Sequence, residues 1–234
     1  MNSYEKFYLE KMYPLQDGVM DIITKLNTPF FLTGGTALSR HYFNHRYSDD
    51  LDLFVNADDK FHQQLDNVLK KLSDTKQENN FLLETENIKR FESFAQIFII
   101  HSVFQEIKLK IDFVNDISVH YGDFEYSKSL GKIDSWQNIL SNKITAVFRF
   151  EPKDIADIWI ISKNKTFNWK MIIKEAKTKE AGVEPEVIFN ILKSFPIDKL
   201  NMIRWVSEPN IYQIKKDLEV IADDILYGKE NSLF

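Results

Sequence analysis

Three aspartates pose the chemical question in this sequence. Asp50 and Asp52 lie in "SDDLDLFV", interleaved with Leu51, Leu53 and Phe54, and Asp112 lies in "KLKIDFV". Residues two apart in a strand face the same side, about 6.6 Å apart along the chain. Asp50 and Asp52 therefore point together while Leu51 and Leu53 enter a core. Carboxylates converging at this range repel, and the usual remedies are a shared proton, a basic partner or a divalent cation. Oxygen donors in a chain without cysteine suit Mg2+ or Mn2+, which take a couple of carboxylates together with substrate phosphates.

Upstream, "FFLTGGTALSRHYF" sets Gly34, Gly35 and Thr36 between a short apolar strand and a helix. Glycines let a backbone approach a ligand closely, and a helix N-terminus offers free N–H groups to an anion. A phosphate cradle within about twenty residues of a carboxylate pair is the basic equipment of phosphoryl and nucleotidyl transfer. Asp112 sits on the polar face of a later strand with Lys108 and Lys110, opposite Ile107, Leu109, Ile111 and Phe113. If that strand pairs beside the first, a third carboxylate joins the cluster, placed to accept a proton from an attacking hydroxyl.

The elements that must hold these residues are readable from periodicity. Residues 4–27 carry apolar side chains at helical spacing, with Pro14 predicted to divide a short helix from a longer one. "FFLT" reads as a strand, a helix starts near Thr36 and ends at Asn44, and "DDLDLFV" alternates with period two. A helix is predicted over 58–73 and a β-rich stretch over 80–115. Beyond about residue 125 every apolar pattern is helical, with Pro152 and Pro185 in first-turn positions and Gly228 as a C-cap. The expected architecture is α+β: a mixed β-sheet with flanking helices over 1–125, then a helical half over 126–234.

Composition narrows the class. Of 234 residues, 44% are hydrophobic and 28% charged, which is ordinary globular composition. No apolar run approaches the roughly 20 residues of a membrane helix, and the N-terminus lacks a signal-peptide pattern, so a soluble, cytoplasmic protein with no membrane partner is expected. The net charge of −5 argues against a protein coated in basic residues for nucleic acid. From Lys128 to Lys179, however, eleven Lys/Arg stand against five Asp/Glu, enough to hold a polyphosphate or RNA locally.

With these residues in view, the chain resembles the nucleotidyltransferase superfamily of DNA polymerase β and the CCA-adding enzymes, and more closely the AbiEii/AbiGii toxin-type nucleotidyltransferases. The resemblance rests on "LTGGTALSRHYFNHRYSDDLDLFV", on "KIDFV" and on "NKITAVFRFEPKDIADIWII". It departs from the family in having Thr36 where serine is frequent and Lys153 where arginine is frequent; the latter keeps charge but loses a bidentate fork. The resemblance implies that Gly34, Gly35 and Thr36 hold the β/γ-phosphates and that Asp50, Asp52 and Asp112 bind Mg2+ (or Mn2+), with Asp112 also the general base. It implies that Lys143 touches the triphosphate, that Asp154 orients Lys143 or substrate, and that the helical half completes the cleft. Asp157 is expected on a helix surface, and Asp49, which alternation turns away from Asp50, either behind the site or facing solvent. Arg46 and Ser48 are candidate phosphate ligands, Arg46 equally a brace for Asp49. The implied partners are a nucleoside triphosphate, an RNA acceptor such as the 3′ end of tRNA, and an antitoxin protein.

Two rivals belong to other classes: a non-catalytic nucleotide- or partner-binding regulator of the same fold, and a transferase acting on a protein or small-molecule hydroxyl. His41 and His45, four apart, lack the intervening Glu of a zinc helix. Tyr42 and Trp159 are read as packing residues before base-stacking ones.

Overall fold

The computed structural model describes residues 3–74 and 81–234. Residue 80, where the β-rich stretch was expected to open, lies outside them. The chain divides into two compact units: one of residues 1–41, 47–118 and 123–134, the other of 42–46, 119–122 and 135–234.

The first unit is built on a mixed sheet. Its strands are β1 (Phe31–Thr33), β2 (Leu51–Asn56), β3 (Phe81–Leu83), β4 (Lys89–Arg90), β5 (Phe94–His101), β6 (Lys108–Asp116), β7 (Glu125–Ser127) and β8 (Gly131–Ile133). They run in the order β3-β5-β6-β2-β1-β8-β7, with β4 paired to β5. β2 lies parallel to β6 and β1 parallel to β8, while the other pairings are antiparallel. Period two decides which face is inside: Leu51, Leu53, Val55, Leu109, Ile111 and Phe113 are all buried.

Helices α1 (Ser3–Phe7) and α2 (Tyr13–Lys25) are joined by a π-turn over Tyr8–Met12, and α4 (Phe61–Asp74) packs against α2. Pro14 has no N–H to give the preceding turn, and it sits in the first turn of α2 just after the π-turn. The backbone nevertheless stays helical through Phe7, Met12 and Tyr13, so the run changes its bonding pattern ahead of Pro14 without the break the sequence predicts. Phe30 meets Phe113 edge-on at 5.0 Å between ring centroids, tying β6 to the start of β1.

The sheet does not stop at residue 125. β7 and β8 are three residues each, too short to show a period, and they join the sheet beside β1. The first unit accordingly runs to Asp134, nine residues past the expected boundary.

The second unit is helical: α5 (Trp136–Ala146), α6 (Pro152–Asn164), α7 (Trp169–Lys179), α8 (Pro185–Ser194) and α9 (Ile211–Tyr227). Ser135 caps α5 by accepting the Asn138 N–H, Pro152 and Pro185 occupy first turns, and Gly228 closes α9 at φ +60°. α5 packs on α6 and α7, and α9 on α6 and α8, around a core that includes Leu140, Ile155, Ile158, Trp169 and Ile221. Trp159 belongs to this packing: its indole N–H donates to Asp217 at 2.8 Å and its ring stands edge-on to Trp205. Among the described residues no helix is long and apolar enough to cross a membrane.

Leu53 is fully buried between neighbouring strands. Leu53→Ala should cost about 2–5 kcal/mol through lost burial and the cavity left behind, read as a lower urea midpoint with the far-ultraviolet spectrum unchanged at zero denaturant.

Candidate active site

Register gathers the expected acidic residues of the first unit. Asp52 on β2 is paired directly with Asp112 on the parallel neighbour β6. Thr33 on β1 is paired with Asp52, and Gln96 on β5 with Asp112. One row across four strands thus reads Thr33, Asp52, Asp112, Gln96, on the face opposite the buried leucines. Asp50 lies just ahead of β2 and joins through Lys110. The Lys110 ammonium stands 2.8 Å from Asp112 Oδ2 and 3.4 Å from Asp50 Oδ2. Gln96 Nε2 donates to Asp112 Oδ1 at 2.9 Å. Burial works against the charge on Lys110, but the Asp112 hydrogen bond and the charges of Asp50, Asp112 and Asp52 hold its pKa above the ordinary lysine value.

The glycine turn is pressed against this row. Gly34 has φ +67°, and a Cβ built on it would fall 2.5 Å from Asp52 Oδ2. Glycine is required on both counts, conformation and space. Gly34 opens the helical run α3 (Gly34–Ala37), which continues as a π-turn over Leu38–Phe43, so first-turn N–H groups lie beside Asp52. Thr36 is buried, and its hydroxyl bonds the Ser48 hydroxyl at 2.8 Å and the Asp50 carbonyl. Thr36 and Ser48 thus clamp the glycine turn to the segment that carries Asp50. Asp134, also buried, accepts the Thr33 hydroxyl at 2.5 Å and fixes the residue before Gly34. Asp49 accepts the Tyr8 hydroxyl.

Among the described residues no three His, Asp or Glu side chains close around a point as metal ligands would. The donor chemistry nevertheless suits a hard cation. Two carboxylates stand side by side in register, a third is joined to them through one ammonium, and all the donors are oxygen.

The second unit holds a separate charge cluster. Asp157 is fully buried, its Oδ1 accepting Arg46 Nε at 2.8 Å and its Oδ2 Arg46 Nη2 at 2.8 Å. Lys143 Nζ lies 2.7 Å from Asp154 Oδ1 and 2.8 Å from Asp157 Oδ2, and Arg149 reaches Asp154 at 2.7 Å. His45 Nε2 meets Asp157 Oδ1 at 2.9 Å. Three residues apart on α6, Asp154 and Asp157 share a face, so one lysine meets both. The expectation of a surface position for Asp157 is overturned: it is the centre of the cluster. Asp154 is in contact with Lys143, the residue it was expected to orient. The Arg46 guanidinium grips Asp157 in a bidentate pair, and α6 supplies that partner.

Burial opposes the charge on Asp157, yet Arg46, Lys143 and the His45 hydrogen bond bring its carboxyl well below the usual aspartate range. Burial likewise opposes the charge on Lys143, and Asp157 and Asp154 raise its pKa nonetheless. His45 goes the other way: burial lowers its pKa despite Asp157, and its Nδ1 lacks a partner. His41 pairs with Glu125 in the first unit, so each histidine has its own carboxylate.

The strand order, the paired carboxylates and the glycine turn define a nucleotidyltransferase-type fold. Three solved structures share it. MenT4, a nucleotidyltransferase toxin from Mycobacterium tuberculosis, aligns with TM-score 0.61 at 14% identity, covering 91% of this chain and 85% of its own. A putative nucleotidyltransferase from Helicobacter pylori gives 0.59 at 20%, covering 91% and 93%. JHP933 from the same organism gives 0.57 at 19%, covering 91% and 90%. Over residues 22–208 the chain matches the AbiEii nucleotidyl transferase toxins of type IV toxin–antitoxin systems, and it belongs to that family. It is accordingly a nucleotidyltransferase. A search among curated proteins found no match.

Gly34→Ala should leave the protein folded but lower nucleotidyl transfer at least about tenfold, because the strain of a left-handed non-glycine residue, about 1–2 kcal/mol, adds to the collision with Asp52; circular dichroism and a transfer assay check both halves. Asp157→Asn should destabilise the chain by about 3–5 kcal/mol, since Arg46 and Lys143 are left buried without their counter-charge. A depressed carboxyl stabilises fully above the ordinary aspartate pKa and loses that contribution as pH falls through its folded value. Wild-type stability in urea should therefore fall steeply below about pH 4, and that of Asp157→Asn less steeply.

Proposed function

We propose that the chain moves a nucleoside monophosphate from a nucleoside triphosphate to an acceptor hydroxyl, releasing pyrophosphate, with Mg2+ or Mn2+, and that the acceptor is RNA such as the 3′ end of tRNA. The reading is carried by one observation: the direct pairing of Asp52 with Asp112 on parallel strands, with the Gly34 turn against Asp52. Asp50, Asp52 and Asp112 would hold the cation. When bound, the cation supplies positive charge to the triphosphate oxygens and to the attacking and leaving oxygens of an in-line displacement.

The chain's own groups do the rest. First-turn N–H groups at Gly34, Gly35 and Thr36 receive the β/γ-phosphates, which a helix N-terminus favours. Thr36 and Ser48 act through their mutual bond, keeping the turn beside the aspartates. Asp112 accepts the proton of the attacking hydroxyl, held in orientation by Gln96. Lys143, Asp154 and Arg46 belong to the ion-paired frame of the helical unit.

An RNA acceptor is supported by the basic surplus of residues 128–179. Lys170, Lys174 and Lys177 follow one another along α7 beside a groove of about 560 Å3 floored by Ile173 and Ile225, with Tyr227 exposed at its rim. Lysines at helical spacing next to an exposed ring suit a phosphate backbone with a stacked base. The toxin family implies an opposing antitoxin as partner.

The test is to mix the protein with Mg2+, each labelled triphosphate in turn, and total RNA or cell lysate. Label on RNA, reduced at least about a hundredfold in Asp52→Asn, is the expected result. Label on protein or on small molecules would move the acceptor. No label under any condition, with wild type and Asp52→Asn indistinguishable in cells, would favour a non-catalytic regulator.

A further inference from the structure

Lys110 carries a consequence beyond the transfer reaction. Its ammonium touches Asp112 Oδ2 at 2.8 Å and stands 3.4 Å from Asp50 Oδ2. A divalent cation held by Asp50 and Asp112 would draw on the same oxygens, and two positive centres sharing them repel. We propose that Lys110 is a positioning residue that competes with the divalent cation for Asp50 and Asp112, and so makes cation binding depend on the nucleotide. The inference rests on the assignment of the three aspartates to a cation.

The argument follows the charge. Three carboxylates face one ammonium, so Lys110 offsets part of the repulsion that would otherwise splay Asp50 and Asp112 apart. A cation arriving alone must displace that ammonium, and the ammonium then loses its partners. A cation arriving with a triphosphate brings anionic oxygens with which the displaced ammonium can pair. The Lys110 side chain is 31% exposed, so it has room to swing, and a lysine is a compact charge on a flexible stem. Gln96 holds the other oxygen of Asp112 and keeps that carboxylate in place while its partner changes. Binding of metal and nucleotide is thereby coupled, and idle occupation of the site by metal is discouraged.

The test is a Mn2+ titration of the full chain without nucleotide, read by the electron paramagnetic resonance signal of free Mn2+, alongside thermal unfolding. Wild type, Lys110→Met, Lys110→Arg and Asp112→Asn are compared, then titrated again with a non-hydrolysable triphosphate. Lys110→Met should bind Mn2+ about tenfold more tightly than wild type without nucleotide, and should gain less when the triphosphate is added. Lys110→Arg should stay near wild type. Lys110→Met should also melt lower than wild type without metal and recover as Mn2+ is added. A purely structural lysine would give a lower melting point with unchanged or weaker Mn2+ binding. That result, with binding lost in Asp112→Asn, overturns the inference and leaves the aspartate site standing. If neither wild type nor Lys110→Met binds Mn2+, the aspartate assignment falls and the inference with it.

Discussion

Like charges held in adjacent strands resist the sheet that brings them together, and the first unit is organised around that resistance. Neighbouring strands lie about 4.8 Å apart, and two carboxylates at such a range repel by about 3 kcal/mol at an effective dielectric near 20. Pairing Asp52 with Asp112 is tolerable because the opposite face of the same strands buries Leu51, Leu53, Ile111 and Phe113. That apolar face fixes the register, and a slip of one residue would turn the leucines to water and the aspartates inward. The core therefore sets the geometry of the acidic row, and the row must live with it.

The second unit meets an opposite problem with the same materials. Asp157 has no solvent to share its charge, and it is surrounded by Arg46, Lys143 and His45, while Asp154 takes Arg149 and the other side of Lys143. Buried ion clusters of this kind add little net stability compared with apolar packing but punish the removal of any one member. In the sheet, three carboxylates face one lysine; around Asp157, guanidinium and ammonium groups predominate. One arrangement gathers carboxylates around a shared ammonium, and the other encloses a buried carboxylate among cations.

Much of this was legible because single-strand periodicity is a local signal. The alternation in "DDLDLFV" and "KLKIDFV" identified the faces of β2 and β6, and the glycines marked the turn that approaches Asp52. What local pattern lacks is partnership. The sequence placed Asp112 beside Asp52 only on condition that the strands pair, and Gln96 went unnoticed because its role arises only once β5 lies against β6. Asp157 is misplaced for a related reason: an aspartate on a helix reads as surface until Arg46, 111 residues earlier, is folded onto it. β7 and β8 were missed because three residues hold less than two full periods.

The close approach at Gly34 also has a genetic side. Glycine codons change by any amino-acid-altering base substitution into codons for residues that carry a Cβ, and at this position a Cβ falls onto the Asp52 carboxylate. If the turn serves the transfer reaction as proposed, a cell burdened by such a toxin would disarm it through many different single-letter mutations at one codon, each leaving the hydrophobic side of the sheet intact. Silencing without unfolding would then follow from the tightness of that turn.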